Sequence, residues 1–109
     1  MERQIIFSPV VKLYLKELAT LLFEKGYFGI PKNAKAYVDR IVDFMTEHIG
    51  IYPGRVAPPY FNQYGKDLEY IKYSANRHTS WYGFYRQEWN VFFVQHITNN
   101  HVAAQYFVV

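Results

Sequence analysis

From Trp89 to Val109 the chain carries no Lys, Arg, Asp or Glu, and the run follows an equally aromatic segment, residues 79–86 (Thr-Ser-Trp-Tyr-Gly-Phe-Tyr-Arg). A stretch without charge suits an interior position, and side chains rich in rings and β-branches suit a pleated surface better than a helix. Residues 79–86 and 91–101 therefore read as two strands of a hairpin joined near Gln87-Glu88-Trp89-Asn90. The charge-free second strand should lie centrally in the sheet. It ends on a polar tip, Asn99-Asn100-His101.

The rest of the chain supplies partners for that hairpin. Residues 3–7 (Arg-Gln-Ile-Ile-Phe) form a short strand pattern, and Ser8-Pro9 then offers an N-cap with proline in the first helical position. Val11, Leu15, Leu18 and Leu22 recur at helical spacing, widened by Tyr14 and Leu21, until Lys25-Gly26 stops the helix. Residues 27–32 read as a connector. Asn33 is placed as the cap of a second helix to about Ile49, with Tyr37, Ile41, Phe44 and Met45 on its apolar stripe and Gly50 as its stop. His48, in the last turn, is assigned a structural role beside the helix dipole. Residues 51–65 break the pattern with Pro53, Gly54, Pro58 and Pro59 and read as a long loop. Its aromatics either stack on bases or staple the loop to the sheet, and the staple is the simpler role. Residues 67–73 alternate as a strand, with Leu68, Tyr70 and Lys72 on one face and Glu69, Ile71 and Tyr73 on the other. The expected fold is α+β, one domain over residues 1–109, with two N-terminal helices on one face of a four-stranded, mainly antiparallel sheet in the order β-α-α-β-β-β.

Composition narrows the function. Half of the 109 residues are hydrophobic and 19% are charged, so the chain can fill a core. A formal net charge of +3 favours an anionic partner only weakly. With no Cys there is neither a disulfide framework nor a thiolate metal site. No apolar run spans a bilayer, so a cytoplasmic protein without a membrane partner is expected. Phosphate-binding Gly-Lys loops, helical His-Glu-x-x-His and Gly-x-Ser-x-Gly elbows do not occur. His96 and His101, five apart, would fall on opposite faces of a continuous strand, so no metal or other cofactor is expected.

A metal-independent anion site is more coherent. Lys72, Arg77, His78 and Arg86 belong to adjacent strands or their turns, and Asn99, Asn100 and His101 add amide donors and a histidine. Cleaving RNA without a metal requires a base for the 2′-OH, cations for the phosphorane oxygens and an acid for the leaving oxygen. His101, Arg77 or Lys72, and Tyr106 match those chemistries. The alternative is that Lys72 and Arg77 are solvated surface charges, Asn99-Asn100 a turn and His101 a capped surface residue.

The succession of Arg3-Gln-Ile-Ile-Phe-Ser-Pro, two amphipathic helices, Leu68-Glu-Tyr-Ile-Lys-Tyr, Trp81-Tyr-Gly-Phe-Tyr and Val91-Phe-Phe-Val-Gln-His-Ile-Thr-Asn-Asn resembles the RelE/ParE superfamily of bacterial type II toxin–antitoxin toxins. The resemblance implies a cognate antitoxin and one of two activities: cleaving messenger RNA on the ribosome, which arrests translation, or poisoning DNA gyrase. For the endoribonuclease the resemblance carries Lys72 and Tyr106 over to matching positions; with Arg77 and His101 from the reading of the charged residues they make the expected catalytic set, with Arg86, Tyr82, Asn99 and Asn100 on the nucleic acid. Tyr70, Tyr82 and Asn100 stand where nuclease members carry cations. That departure keeps open a gyrase-binding toxin without nuclease activity, or a protein that has lost catalysis and binds only its antitoxin.

Overall fold

The computed structural model describes residues 2–26, 29 and 31–107. The chain opens with strand β1 (Gln4–Phe7) and helix α1 (Pro9–Glu24). Ser8 caps α1 as its position before proline suggests: its backbone is extended, and its hydroxyl accepts from the Val11 amide at 3.2 Å. Lys25 closes the helix and Gly26 follows with φ +78°. The expected connector lies outside the described residues at positions 27, 28 and 30, and Lys32 already belongs to helix α2 (Pro31–His48), which begins ahead of Asn33. Two groups end α2. Gly50 turns the chain at φ +88°, where a Cβ would also strike the Phe92 ring at 2.8 Å. Arg3 donates to the carbonyls of Thr46 and Glu47 at 2.6 and 2.7 Å, which places a cation on the negative end of the helix.

Strands β2 (Arg55–Val56), β3 (Glu69–Ser74), β4 (Ser80–Glu88) and β5 (Val91–Asn99) complete one sheet in the order β1-β5-β4-β3-β2. β1 runs parallel to β5 in the register Gln4↔Val91 to Phe7↔Val94, and the other pairs are antiparallel. β5 thus has strands on both sides, as its lack of charge requires. A bulge between Phe84 and Tyr85 shifts the β4–β5 register, and Trp89, at φ +57°, forms the turn that joins the two strands.

The expected four-stranded β-α-α-β-β-β arrangement is therefore corrected to a five-stranded mixed sheet with extra elements before β3 and after β5. β2 lies inside the stretch read as loop. Two residues between prolines are too short to show alternation, and they form a strand only because β3 offers Tyr70 and Glu69 as partners. The same stretch holds a 3-10 helix (Pro59–Tyr64). β3 begins later than expected because Asp67, at φ +55°, is still turning the chain. Beyond β5 the polar tip is no strand end in solvent: Asn100 starts a short helix, α3 (Asn100–Ala103), followed by a 3-10 turn (Ala104–Tyr106). His96 and His101 consequently do not share one strand.

The sheet is covered on both faces. Val11, Leu15 and Leu18 of α1 and Val38, Ile41 and Met45 of α2 pack with Ile71, Trp81, Tyr85, Phe92, Val94 and Ile97. Gly83 lets α2 come close, since a Cβ there would lie 2.5 Å from the Met45 sulfur. The opposite face holds a second, aromatic cluster built on Phe61, Leu68, Phe84 and Ala103, with Tyr70, Tyr82, Tyr106 and Phe107 around it. Phe61 stacks on Phe84 at 4.3 Å and Tyr64 on His96 at 3.6 Å, so the loop aromatics staple their segment to the sheet.

Candidate functional site

Three asparagines shape the junction where the β3–β4 connection meets the end of β5. Asn76 Oδ1 accepts from the amides of His78 and Thr79 at 2.8 and 2.9 Å, an Asx turn that rounds the corner. Asn100 reaches across to it: its Oδ1 accepts from the Ser80 amide at 2.9 Å and its Nδ2 donates to the His78 carbonyl at 3.0 Å. Asn99 caps α3 by accepting from the Val102 amide at 3.1 Å. His101, projecting from α3, meets Thr79 with 3.0 Å between Nε2 and the hydroxyl. Arg77 and His78 are left exposed on the outer side of the corner.

On the helix side this junction opens into a groove of about 970 Å³ between α1 and the ends of β4 and β5. Its lining runs from Leu13, Leu21 and Leu22 of α1 to Trp81, Thr79, His101 and Val102. Trp81 is buried and donates its indole N–H to the Tyr37 hydroxyl at 2.9 Å, so the inner wall is held rigid from α2. Burial raises the pKa of Tyr14, also in the lining, and keeps that phenol neutral. Lys16, Glu17, Glu24 and Lys25 supply charges of both signs along α1. The lining thus mixes apolar side chains with charges of both signs, as surfaces that take another protein do.

Of the residues nominated from sequence, Asn99 and His101 line this groove. Asn100 holds the corner and Arg77 lies in it. Lys72 is exposed on β3 opposite Tyr82 and belongs to the sheet face away from the helices, because its neighbour Ile71 points into the helix-side core. Tyr82 sits on that outer face against Tyr70 and Phe107, its pKa raised by burial and then by Tyr70. Arg86 lies 4.2 Å over the Phe93 ring and is paired with Glu88 at 2.7 Å. Tyr106 stacks on Tyr60 with ring centroids 3.5 Å apart and planes 4° from parallel. A hydrogen bond with Tyr60 raises its pKa. Tyr106 therefore lies with the outer aromatic layer, while His101 faces Thr79 on the groove side.

Sequence reading did not single out Asn76, Thr79, Tyr37 or Trp81 for the site. Asn76 and Thr79 carry a local signal, an asparagine three residues ahead of a threonine at a turn. Trp81 and Tyr37, 44 positions apart, have no local signal. Among the described residues there is no group of three or more His, Asp or Glu that could hold a metal ion. His96 is the most perturbed histidine: burial lowers its pKa to about 4, so it stays neutral against Tyr64. His48 stacks on Tyr52 at 4.2 Å beside Phe44, at the end of α2.

No family model, no curated protein and no solved structure matches the chain.

Proposed function

We propose that the chain works by holding protein partners, as the toxin member of a bacterial toxin–antitoxin pair of the RelE/ParE kind, with its antitoxin seated in the groove between α1 and the ends of β4 and β5. The supporting observation is the groove's lining, in which Leu13, Leu21 and Val102 are 56%, 46% and 61% exposed. Exposed apolar side chains gathered in the lining of one groove offer a partner's apolar side chains a place to be buried. Docking on DNA gyrase suits the placement of the nominated side chains better than cutting messenger RNA. Phosphodiester cleavage needs base, cation and acid within reach of one phosphate, and His101 and Tyr106 contact different layers of the molecule.

The test is expression of the chain alone in a bacterium. DNA breaks and an induced damage response with intact transcripts are expected, and transcripts cut on the ribosome would overturn the docking assignment. For the groove, Leu21→Asp should weaken binding to the short acidic protein expected from the adjacent gene by about tenfold to a hundredfold, the range for a central interface side chain. Unchanged affinity would place the antitoxin elsewhere. The endoribonuclease reading retains one observation of its own: Arg77, His78 and His101 surround the same pinned corner. It requires transcript cleavage that is lost in His101→Ala.

A further inference from the structure

The two edges of the sheet are built differently. β2, at one edge, is two residues long, carries Arg55 and lies between Pro53 and Pro58, so it offers almost nothing to an incoming strand. β1, at the other edge, is Gln4-Ile5-Ile6-Phe7, with no charge, no proline and no bulge. Its pairing with β5 uses every second residue. The Gln4 amide donates to the Asn90 carbonyl at 2.8 Å and the Ser8 amide to the Val94 carbonyl at 3.0 Å, so Ile6 between them also faces β5. The alternation leaves the N–H and C=O of Ile5 and Phe7 pointing off the sheet, where among the described residues no strand pairs with β1 on that side.

An extended strand can take both groups of both residues at once in place of water. The edge is also complementary to itself. If two copies meet antiparallel about a two-fold axis at Ile6, Ile5 of one copy faces Phe7 of the other and they exchange both hydrogen bonds, and Phe7 and Ile5 do the same in reverse. Ile6 then faces Ile6 as a non-bonded pair, the closer of the two kinds, with side chains on the outer face. Ile6 is 42% exposed there, and on β5 its register partner is Phe93, whose ring carries the Arg86 guanidinium. The pair of copies would join these into one unbroken row across both outer faces, while Ile5 and Phe7 extend the helix-side cores, against which they already pack.

We infer that β1 is the interface between two copies of this chain, which associate edge to edge through Ile5, Ile6 and Phe7 into a continuous sheet. The groove between α1 and the ends of β4 and β5 does not include these residues, so the inference stands apart from the antitoxin assignment. Sedimentation equilibrium of the purified chain, from micromolar to hundreds of micromolar, should give twice the chain mass at the upper end. Ile6→Lys, which puts a charge at the centre of the row, should hold the mass at one chain throughout. Amide hydrogen exchange guards against a misfolded variant. In the natural chain at high concentration the Ile5, Ile6 and Phe7 amides should all be protected, and in Ile6→Lys only position 6, bonded to β5, should remain so. A natural chain that stays monomeric overturns the inference and leaves the edge to a strand of some other protein. A dimer that Ile6→Lys does not disturb overturns it as well.

Discussion

Replacing His96 with phenylalanine keeps a ring against Tyr64 and removes a group whose protonation the fold opposes. Burial lowers its pKa from the ordinary histidine value of 6.5 to about 4. In the unfolded chain His96 gains its proton near pH 6.5, whereas in the folded chain it does so only near pH 4, so the unfolded state binds more protons between the two. The stability this neutral ring contributes is therefore complete above pH 6.5 and is lost as pH falls toward 4. At about 1.4 kcal/mol per pH unit the unscreened limit is about 3 kcal/mol. The ring is only part buried, and solvent screening reduces that to about 1–2 kcal/mol. Urea unfolding followed by circular dichroism at pH 7.5, 6.5, 5.5 and 4.5 measures it directly. Between the first and last of these the natural chain should lose about 1–2 kcal/mol more than His96→Phe, since every other titrating group is shared. Parallel loss in the two proteins, or a His96 ring whose proton resonance titrates at the ordinary value, would refute the reasoning.

Two further predictions concern close packing and the pinned corner. Gly83→Ala would push a methyl against the Met45 sulfur, costing about 1–3 kcal/mol by overpacking, and a double-mutant cycle in urea unfolding should show that cost shrinking when Met45 is already Ala. Asn100→Ala removes the acceptor of the Ser80 amide and the donor to the His78 carbonyl. It should cost about 1–2 kcal/mol and speed hydrogen exchange at Ser80.

What the chain's order of residues settles by itself is local. Ser8-Pro9 begins α1 because a hydroxyl and a ring-locked φ answer the free amides of a first turn, whatever lies around them. Gly26 and Gly50 mark turns that favour a positive φ. The alternation of Tyr70 and Lys72 against Ile71 assigns each to its side of the sheet because successive strand residues face opposite ways. The charge-free run from Trp89 marks β5 as interior, since burying an unpaired charge would cost too much.

The tertiary structure decided the rest, because it depends on contacts between residues far apart in the chain. β2 exists only as an addition to β3. The outer aromatic layer forms because Phe61, Tyr106 and Phe107 return to a sheet face that would otherwise be apolar and wet. At the candidate site, spacing alone grouped Lys72, Arg77, His101 and Tyr106. The folded chain instead sets His101 on Thr79 across 22 positions and Tyr106 on Tyr60 in the other layer. No local pattern encodes either meeting. Once β5 ends in a helix cap at Asn99, the backbone turns, and the residues after it are placed by what they pack against.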